Sequence, residues 1–184
     1  MQAPSGHTTT PPVDALLAGG ALAGEWALDP GQSSVQLTSR VLGGLIRVNG
    51  VFRDVSGNGT VSPDGQVSGT FTVAAASIDT KQAKRDTHLR SADFFDTGNH
   101  PDITFTVHGI RPSGPGAEVA GALTVRDRTQ PLSFAAAATV QGGSEISLDA
   151  EVHINRADFG LTWNFLGMVS MDNTLVIHAV FTRR

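Results

Sequence analysis

Six histidines and one run of cationic side chains are the first places to look for chemistry in this chain. His88, His100 and His108 lie close in sequence, but no HxH or HExxH spacing occurs, so no metal site is expected from them. His153 and His178 fall on the polar side of two separate alternating runs. They could pair across a sheet, but a solvated outer face is the preferred reading. The chain has no cysteine, which removes disulfides, thiol catalysis and thiolate metal ligation and leaves the compartment open. There is no G-x-S-x-G, serines sit mainly in turns and at strand edges, and the glycine-rich turns lack the GK[ST] ending of a phosphate loop. No catalytic residue, metal or cofactor is therefore expected. The segment around residue 85 is different. Lys81, Lys84, Arg85, His88 and Arg90 face only Asp79 and Asp86, a local basic excess on a chain of net charge −4. That overall charge argues against a nucleic-acid partner, which needs a basic face.

The elements that would position these groups are strands. From Trp26 onward apolar residues recur at every second position. Val35, Leu37 and Ser39 alternate with Gln36, Thr38 and Arg40; Phe71, Val73 and Ala75 alternate with Thr70, Thr72 and Ala74. Ile103, Phe105 and Val107 follow, then Val119, Gly121, Leu123 and Val125. Ile146, Leu148, Ala150, Val152 and Ile154 oppose Ser147, Asp149, Glu151 and His153, and Leu175, Ile177, Ala179 and Phe181 close the series. Period two means half-buried strands with one apolar and one wet face. Ser56-Gly57-Asn58-Gly59, Pro63-Asp64-Gly65, Pro112 to Gly116 and Gln141 to Ser144 are read as the turns between them. The result is an all-β chain of about eight antiparallel strands, and a closed sheet of that size encloses room for one small ligand.

One stretch breaks the rhythm. Ser77 to Asp96 has no alternation; Asp79 or Thr80 is expected to cap a helix running to about Ser91, with a second turn over Asp93–Phe95. His100-Pro101 closes this insert before the next strand. At the other end of the chain, residues 1–24 are expected to be a flexible tail with a short helical turn, Asp14–Ala18, capped by Asp14, and residues 25–184 the barrel. The apolar stretch Val13–Ala23 is too short to span a bilayer and no Lys or Arg precedes it. No integral membrane segment and a cytoplasmic location are the corresponding expectations. Nine Phe and two Trp with no Tyr suit a greasy interior that needs no hydroxyl.

The insert also carries a resemblance. Ser77 to Phe105, SIDTKQAKRDTHLRSADFFDTGNHPDITF, closely resembles the signature of the YceI-like, polyisoprenoid-binding, lipocalin-like family. Trp26-Ala27-Leu28-Asp29-Pro30 with Ser33-Ser34-Val35 resembles the family's opening strand. Gly50-Val51-Phe52 with Gly57 and Gly59 resembles its second strand, and Asn155 to Leu161 with Trp163-Asn164 its late loop. Gln32 stands where the family often has His, and Asp127 where a turn often has Gly. The resemblance implies an eight-stranded antiparallel lipocalin-like barrel, lidded by the helical insert, around a long hydrophobic pocket. It further implies a polyisoprenoid, isoprenoid quinone or similar lipid as partner, and homodimers are common among such proteins.

On that reading the lining comes from Leu37, Phe52, Phe71, Val73, Ile103 and Phe105, joined by Leu123, Phe134 and Leu148. The apolar loop residues Trp163, Phe165 and Met168 contact ligand or cover the mouth, with Met171 as adaptable lining. A filled ordinary core is the competing account of the same strand faces. Arg85 and His88 contact a diphosphate or quinone head group at the mouth. Alternatively Arg85, Asp86 and His88 only tie the insert to the barrel, while Lys81, Lys84 and Arg90 are solvated surface. Burial of a methylene is worth about 0.8 kcal/mol, so a five-carbon prenyl unit contributes roughly 4 kcal/mol gross. Micromolar binding needs about 8 kcal/mol net, within reach of roughly two or three units after ordering costs. The function expected is non-catalytic: transport, storage or sequestration of a long apolar molecule. The alternatives are an enzyme isomerising or cyclising an apolar substrate, for which Asp127, Asp149 and His153 are the candidate titratable groups, and a stress-related binder of hydrophobic drugs.

Overall fold

The computed structural model describes residues 13–114 and 116–184. Eleven strands form one antiparallel sheet: β1 (Gly24–Leu28), β2 (Ser34–Val41), β3 (Ile46–Phe52), β4 (Val55–Val61), β5 (Val67–Ala74), β6 (Ile78–Asp79), β7 (Asp102–Ser113), β8 (Gly116–Val125), β9 (Arg128–Gln141), β10 (Glu145–Asn155) and β11 (Val169–Arg183). The ring β1–β4–β5–β7–β8–β9–β10–β11 closes on itself through β11 and β1, an eight-strand barrel. The far half of the β11 edge carries β2, followed by β3 and β6. The pairs β1/β2, β3/β4 and β5/β6 are thus each one bent strand of the wall, which is why period-two reading counts about eight.

Alternation sets which face is inside. Along β11, Leu175, Ile177, Ala179 and Phe181 point inward, and their β10 neighbours in register are Val152, Ala150, Leu148 and Ile146. A slip of one residue would turn both sets to water, so the register is strongly specified.

Ser56-Gly57-Asn58-Gly59, expected as a turn, lies inside β4. The reason is close approach: Gly57 faces Phe71 of β5, and a Cβ at Gly57 would stand 2.9 Å from the Thr70 carbonyl oxygen. Pro63-Asp64-Gly65 falls between β4 and β5 and Gly142 to Ser144 between β9 and β10, whereas Pro112 and Ser113 still belong to β7, Gly116 to β8 and Gln141 to β9.

Among the described residues two α-helices occupy the two ends of the barrel. α1 (Val13–Ala18) begins beside Asp14, whose Oδ1 accepts the Ala15 N–H at 2.8 Å. Residues 13–23, expected within a flexible lead-in, are docked: Leu17 and Leu22 are buried with Trp26, Val61 and Val140, and Trp26 Nε1 donates to the Leu22 carbonyl at 2.9 Å. The tail Met1–Pro12 lies outside the described residues. No helix among the described residues is long and apolar enough to cross a membrane.

α2 (Ala83–Arg90) starts later than expected, with Gln82 at its N-cap and no side-chain cap. Asp79 is unavailable as a cap because it belongs to β6, where its carboxylate accepts Arg53 Nη2 at 2.6 Å and the Lys81 N–H at 2.8 Å. Thr80 is instead gripped by the helix, its N–H and hydroxyl donating to Asp86 Oδ1 at 2.9 and 2.6 Å. The insert fills the corner beyond β6, which has no further strand partner among the described residues.

Candidate functional site

The barrel encloses a cavity of about 660 Å³ that runs from α1 to α2. That volume suits a single ligand of moderate size. Strands of ten to fifteen residues in its walls, tilted as barrel strands are, give a bore on the order of 25 Å long.

The middle of the bore is hydrocarbon and aromatic. Phe71 and Phe105 are register partners, and the Phe105 ring stacks obliquely on Phe134 with centroids 5.5 Å apart. The Phe105 ring reaches over β8 at Gly121, the register partner of Val107, where a Cβ would meet it at 2.6 Å. Leu37, Phe52, Val73, Ile103, Leu123 and Leu148 complete this wall, and Trp163 lines it near the α2 end. The expected strand residues therefore converge on one space.

Phe165 and Met168 do not reach it. Asn164 braces Val169 with two hydrogen bonds of 2.9 Å, and this bracket turns Phe165, Leu166 and Gly167 outward into water. Met168 borders a groove on the outer face instead, and Met171 is also absent from the lining.

The two ends differ. At the α1 end the cavity meets buried Leu17, Leu22 and Trp26, with the uncharged Asn58, Thr60, Ser68 and Thr70 of β4 and β5 also in its lining. At the α2 end its lining turns polar and includes exposed Gln82 and Lys84, with Arg85, His88, Arg156, Ser39 and Asn173. Among the described residues the titratable groups of the lining are Lys84, Arg85, His88 and Arg156; no carboxylate is among them.

Arg85 is partly committed to the fold, its Nε donating to Thr80 Oγ1 at 2.7 Å and its Nη2 to the Thr80 carbonyl at 2.8 Å. His88 stands edge-on to Trp163 and Phe94, at 4.4 and 5.3 Å between centroids, and its Nε2 is 3.3 Å from Asp93 Oδ2. Arg90, expected as solvated surface, is a clasp: it donates to the carbonyls of Ala76 at 2.7 Å and Ile78 at 2.8 Å. Lys84 is exposed at the mouth, and Lys81 is exposed with Nζ 3.3 Å from Asp79.

Arg156 is not among the site residues expected from the sequence, yet it is the most buried cation of the lining. Its guanidinium donates to the carbonyls of Ser170 (3.0 Å), Leu161 and Val169 (3.4 Å) and lies 5.6 Å from the Phe94 ring centroid. No carboxylate pairs with it among the described residues, and burial pulls its pKa below the ordinary arginine value. Three N–H groups used of five leaves the fork with donors to spare. The signal was present: Val152, Ile154 and Arg156 continue one inward-facing series. Ser39 Oγ is a second such group, buried with no hydrogen-bond partner, in register with Asn173 across the β2–β11 pair.

Asp127, Asp149 and His153 are all exposed and none lines the bore: Asp149 and His153 lie on the outer face of β10 and Asp127 in the turn between β8 and β9. Asp149 Oδ1 is 2.6 Å from His178 Nδ1, and His153 meets Thr174 and Glu151 rather than His178. Gln32 is likewise outside the bore, holding Asp29 at 2.9 Å and so lowering that carboxyl's pKa.

A closed antiparallel barrel with an apolar bore and a helical lid over one mouth defines a lipocalin-like architecture. The chain belongs to the YceI-like family, whose domain model matches residues 26–181. It is 30% identical over 168 residues to Protein YceI of Escherichia coli O157:H7, covering 87% of each chain. Among solved structures it is similar in fold to Burkholderia cenocepacia BcnA, with a TM-score of 0.75 at 21% identity over 83% of this chain and 98% of that one. It is also similar to a domain from Saccharophagus degradans described as polyisoprenoid binding, with a TM-score of 0.69 at 16% identity over 86% of this chain and 98% of the other.

Proposed function

We propose that the barrel holds a long apolar molecule, a polyisoprenoid, isoprenoid quinone or similar lipid, with its tail toward α1 and its polar head at the α2 mouth, for transport, storage or sequestration. The observation that carries this is the gradient along the bore. Phe71, Phe105, Leu123 and Leu148 line its middle, the polar lining residues of β4 and β5 (Asn58, Thr60, Ser68 and Thr70) are uncharged, and every titratable lining group, Lys84, Arg85, His88 and Arg156, belongs to the α2 end, with no carboxylate among them. An electron-rich oxygen is the complement of such an end. Arg and Ser donors can hydrogen-bond it, and a spare buried hydroxyl without a partner costs stability until it is met. The polyisoprenoid-binding description of the Saccharophagus degradans relative supports the same ligand class.

The barrel is read as non-catalytic. The three carboxylate and imidazole candidates, Asp127, Asp149 and His153, are exposed and lie outside the lining of the bore, so an enclosed substrate would not meet them. Organic extraction of the purified protein followed by lipid mass spectrometry tests the proposal. Wild type should release a long-chain lipid, and Ala150→Trp, which fills the bore from β10, should release much less while keeping its strand content. Extracts without lipid, together with failure to take up added isoprenoid quinone, would end this reading.

A further inference from the structure

The large apolar side chains exposed on this molecule are not scattered. Leu42 (43%), Leu45 (87%) and Ile46 (48%) crown the β2–β3 hairpin, and Phe165 (57%) and Leu166 (81%) crown the loop before β11; among the described residues only Val176 is exposed elsewhere. The two tips are joined, since the Leu42 N–H donates to the Met168 carbonyl at 2.8 Å and Val41 pairs with Val169. They rim the same end of the barrel as Trp163, Lys84 and the other polar residues of the cavity mouth. Leu42 and Leu166 hold left-handed backbone, at φ 53° and 51°, a conformation that leucine adopts at a cost. Protruding apolar tips of this kind mark an interaction surface.

The charge beside the tips says what it meets. Arg40 and Arg47 are direct cross-strand partners on the outer face, an arrangement that is unfavourable for like charges. Neither makes an ion pair among the described residues, and Asp172, the carboxylate in the same outer row, accepts from Asn155 instead. Lys84 adds a third exposed cation at the mouth. Three cations against Asp172 and Glu151, the carboxylates of the adjoining outer groove, leave a small local excess of positive charge on a chain of net charge −4. A second copy docked through the same patch would set arginine pair against arginine pair.

We infer that this end of the barrel docks on an anionic lipid bilayer, the leucine and phenylalanine tips entering the headgroup layer and Arg40, Arg47 and Lys84 meeting lipid phosphates. The surface stands on exposed side chains and charges, independently of what fills the bore, and it points the mouth at the membrane.

Vesicle flotation with the full chain tests it, comparing phosphatidylcholine alone with an equal mixture of phosphatidylcholine and phosphatidylglycerol. Wild type should float with the mixed vesicles, less at high salt and little with phosphatidylcholine alone. Arg40→Gln with Arg47→Gln should weaken binding to mixed vesicles by about fivefold per charge, roughly 25-fold together. Leu45→Ser with Leu166→Ser should abolish flotation while extraction still yields the wild-type lipid load, which separates docking from cargo binding. Equal flotation of wild type and the Leu45→Ser, Leu166→Ser variant would overturn the inference. So would wild-type self-association in sedimentation velocity that this variant abolishes without any wild-type vesicle binding.

Discussion

The two ends of the barrel are closed with different proportions of apolar packing and polar clasps. At the α1 end Leu17, Leu22, Trp26, Val61 and Val140 pack into a dry seal, and Arg183 stacks over Trp26 while donating to the carbonyls of Ala21 and Ala23. At the α2 end Phe95 and Leu89 pack on the main core and Phe94 is buried, and polar clasps are added around them: Asp86 and Arg85 on Thr80, Arg90 on Ala76 and Ile78, Arg126 on Phe94, Arg156 on the strand and loop carbonyls. Asp86 is the only buried residue of α2 itself. Apolar seals lose their whole transfer energy when opened, whereas a polar clasp exchanges one hydrogen-bond partner for water at small net cost. On this difference the α2 end should open more readily than the α1 end, the one acting as lid and the other as floor.

The largest effect should come from breaking the floor. Trp26→Ala removes the centre of the seal and should lower the unfolding free energy by about 3–5 kcal/mol, read by denaturant unfolding. Arg156→Met comes next. It frees three carbonyls and empties the cation from the mouth, and about 2–3 kcal/mol of stability should be lost together with retention of a polar-headed ligand in extracts. Arg90→Ala should cost less, about 1–2 kcal/mol, and its signature is local: amides of α2 exchange faster in hydrogen-exchange mass spectrometry while those of α1 and β11 do not change. Equal acceleration at both ends would erase the contrast between floor and lid.

The smallest effect is an acid one. The Lys81 N–H, and after it the Arg53 guanidinium, hold the Asp79 carboxyl down from 3.8 to about 2. A depressed pKa stabilises the fold above the unfolded value and loses that contribution as pH falls through the folded one. Wild type should therefore lose stability at the α2 corner between pH 3.8 and about 2, and Asp79→Asn should flatten that part of the profile. Thermal melts at stepped pH would detect the difference.

Much of this contrast was readable from the residues. Alternation in β2, β7, β10 and β11 gives the inward faces directly, because a half-buried strand leaves a period-two trace. β4 was hidden, since glycines that permit close strand approach look the same in sequence as glycines that permit turns. The start of α2 was misplaced because a capping residue type says nothing about a competing partner: Asp79 is claimed by Arg53 across the sheet. Leu17 and Leu22 looked like lead-in because a seal of a few residues has no periodicity to show. Phe165 and Met168 are apolar residues in a loop, and their direction depends on the Asn164 bracket, which is local geometry rather than pattern. Arg156 was legible in principle, as the next inward position after Val152 and Ile154, but hydrophobic periodicity does not flag the cation that ends it.

The most direct test of the account is the electron density inside the barrel of the protein crystallised without added ligand. The account predicts continuous, elongated density along Phe71, Phe105 and Leu148, with a branching or polar end within hydrogen-bond distance of Ser39 Oγ or the Arg156 guanidinium. A bore filled by repacked side chains, or holding only isolated water peaks even after soaking with an isoprenoid quinone, would contradict it.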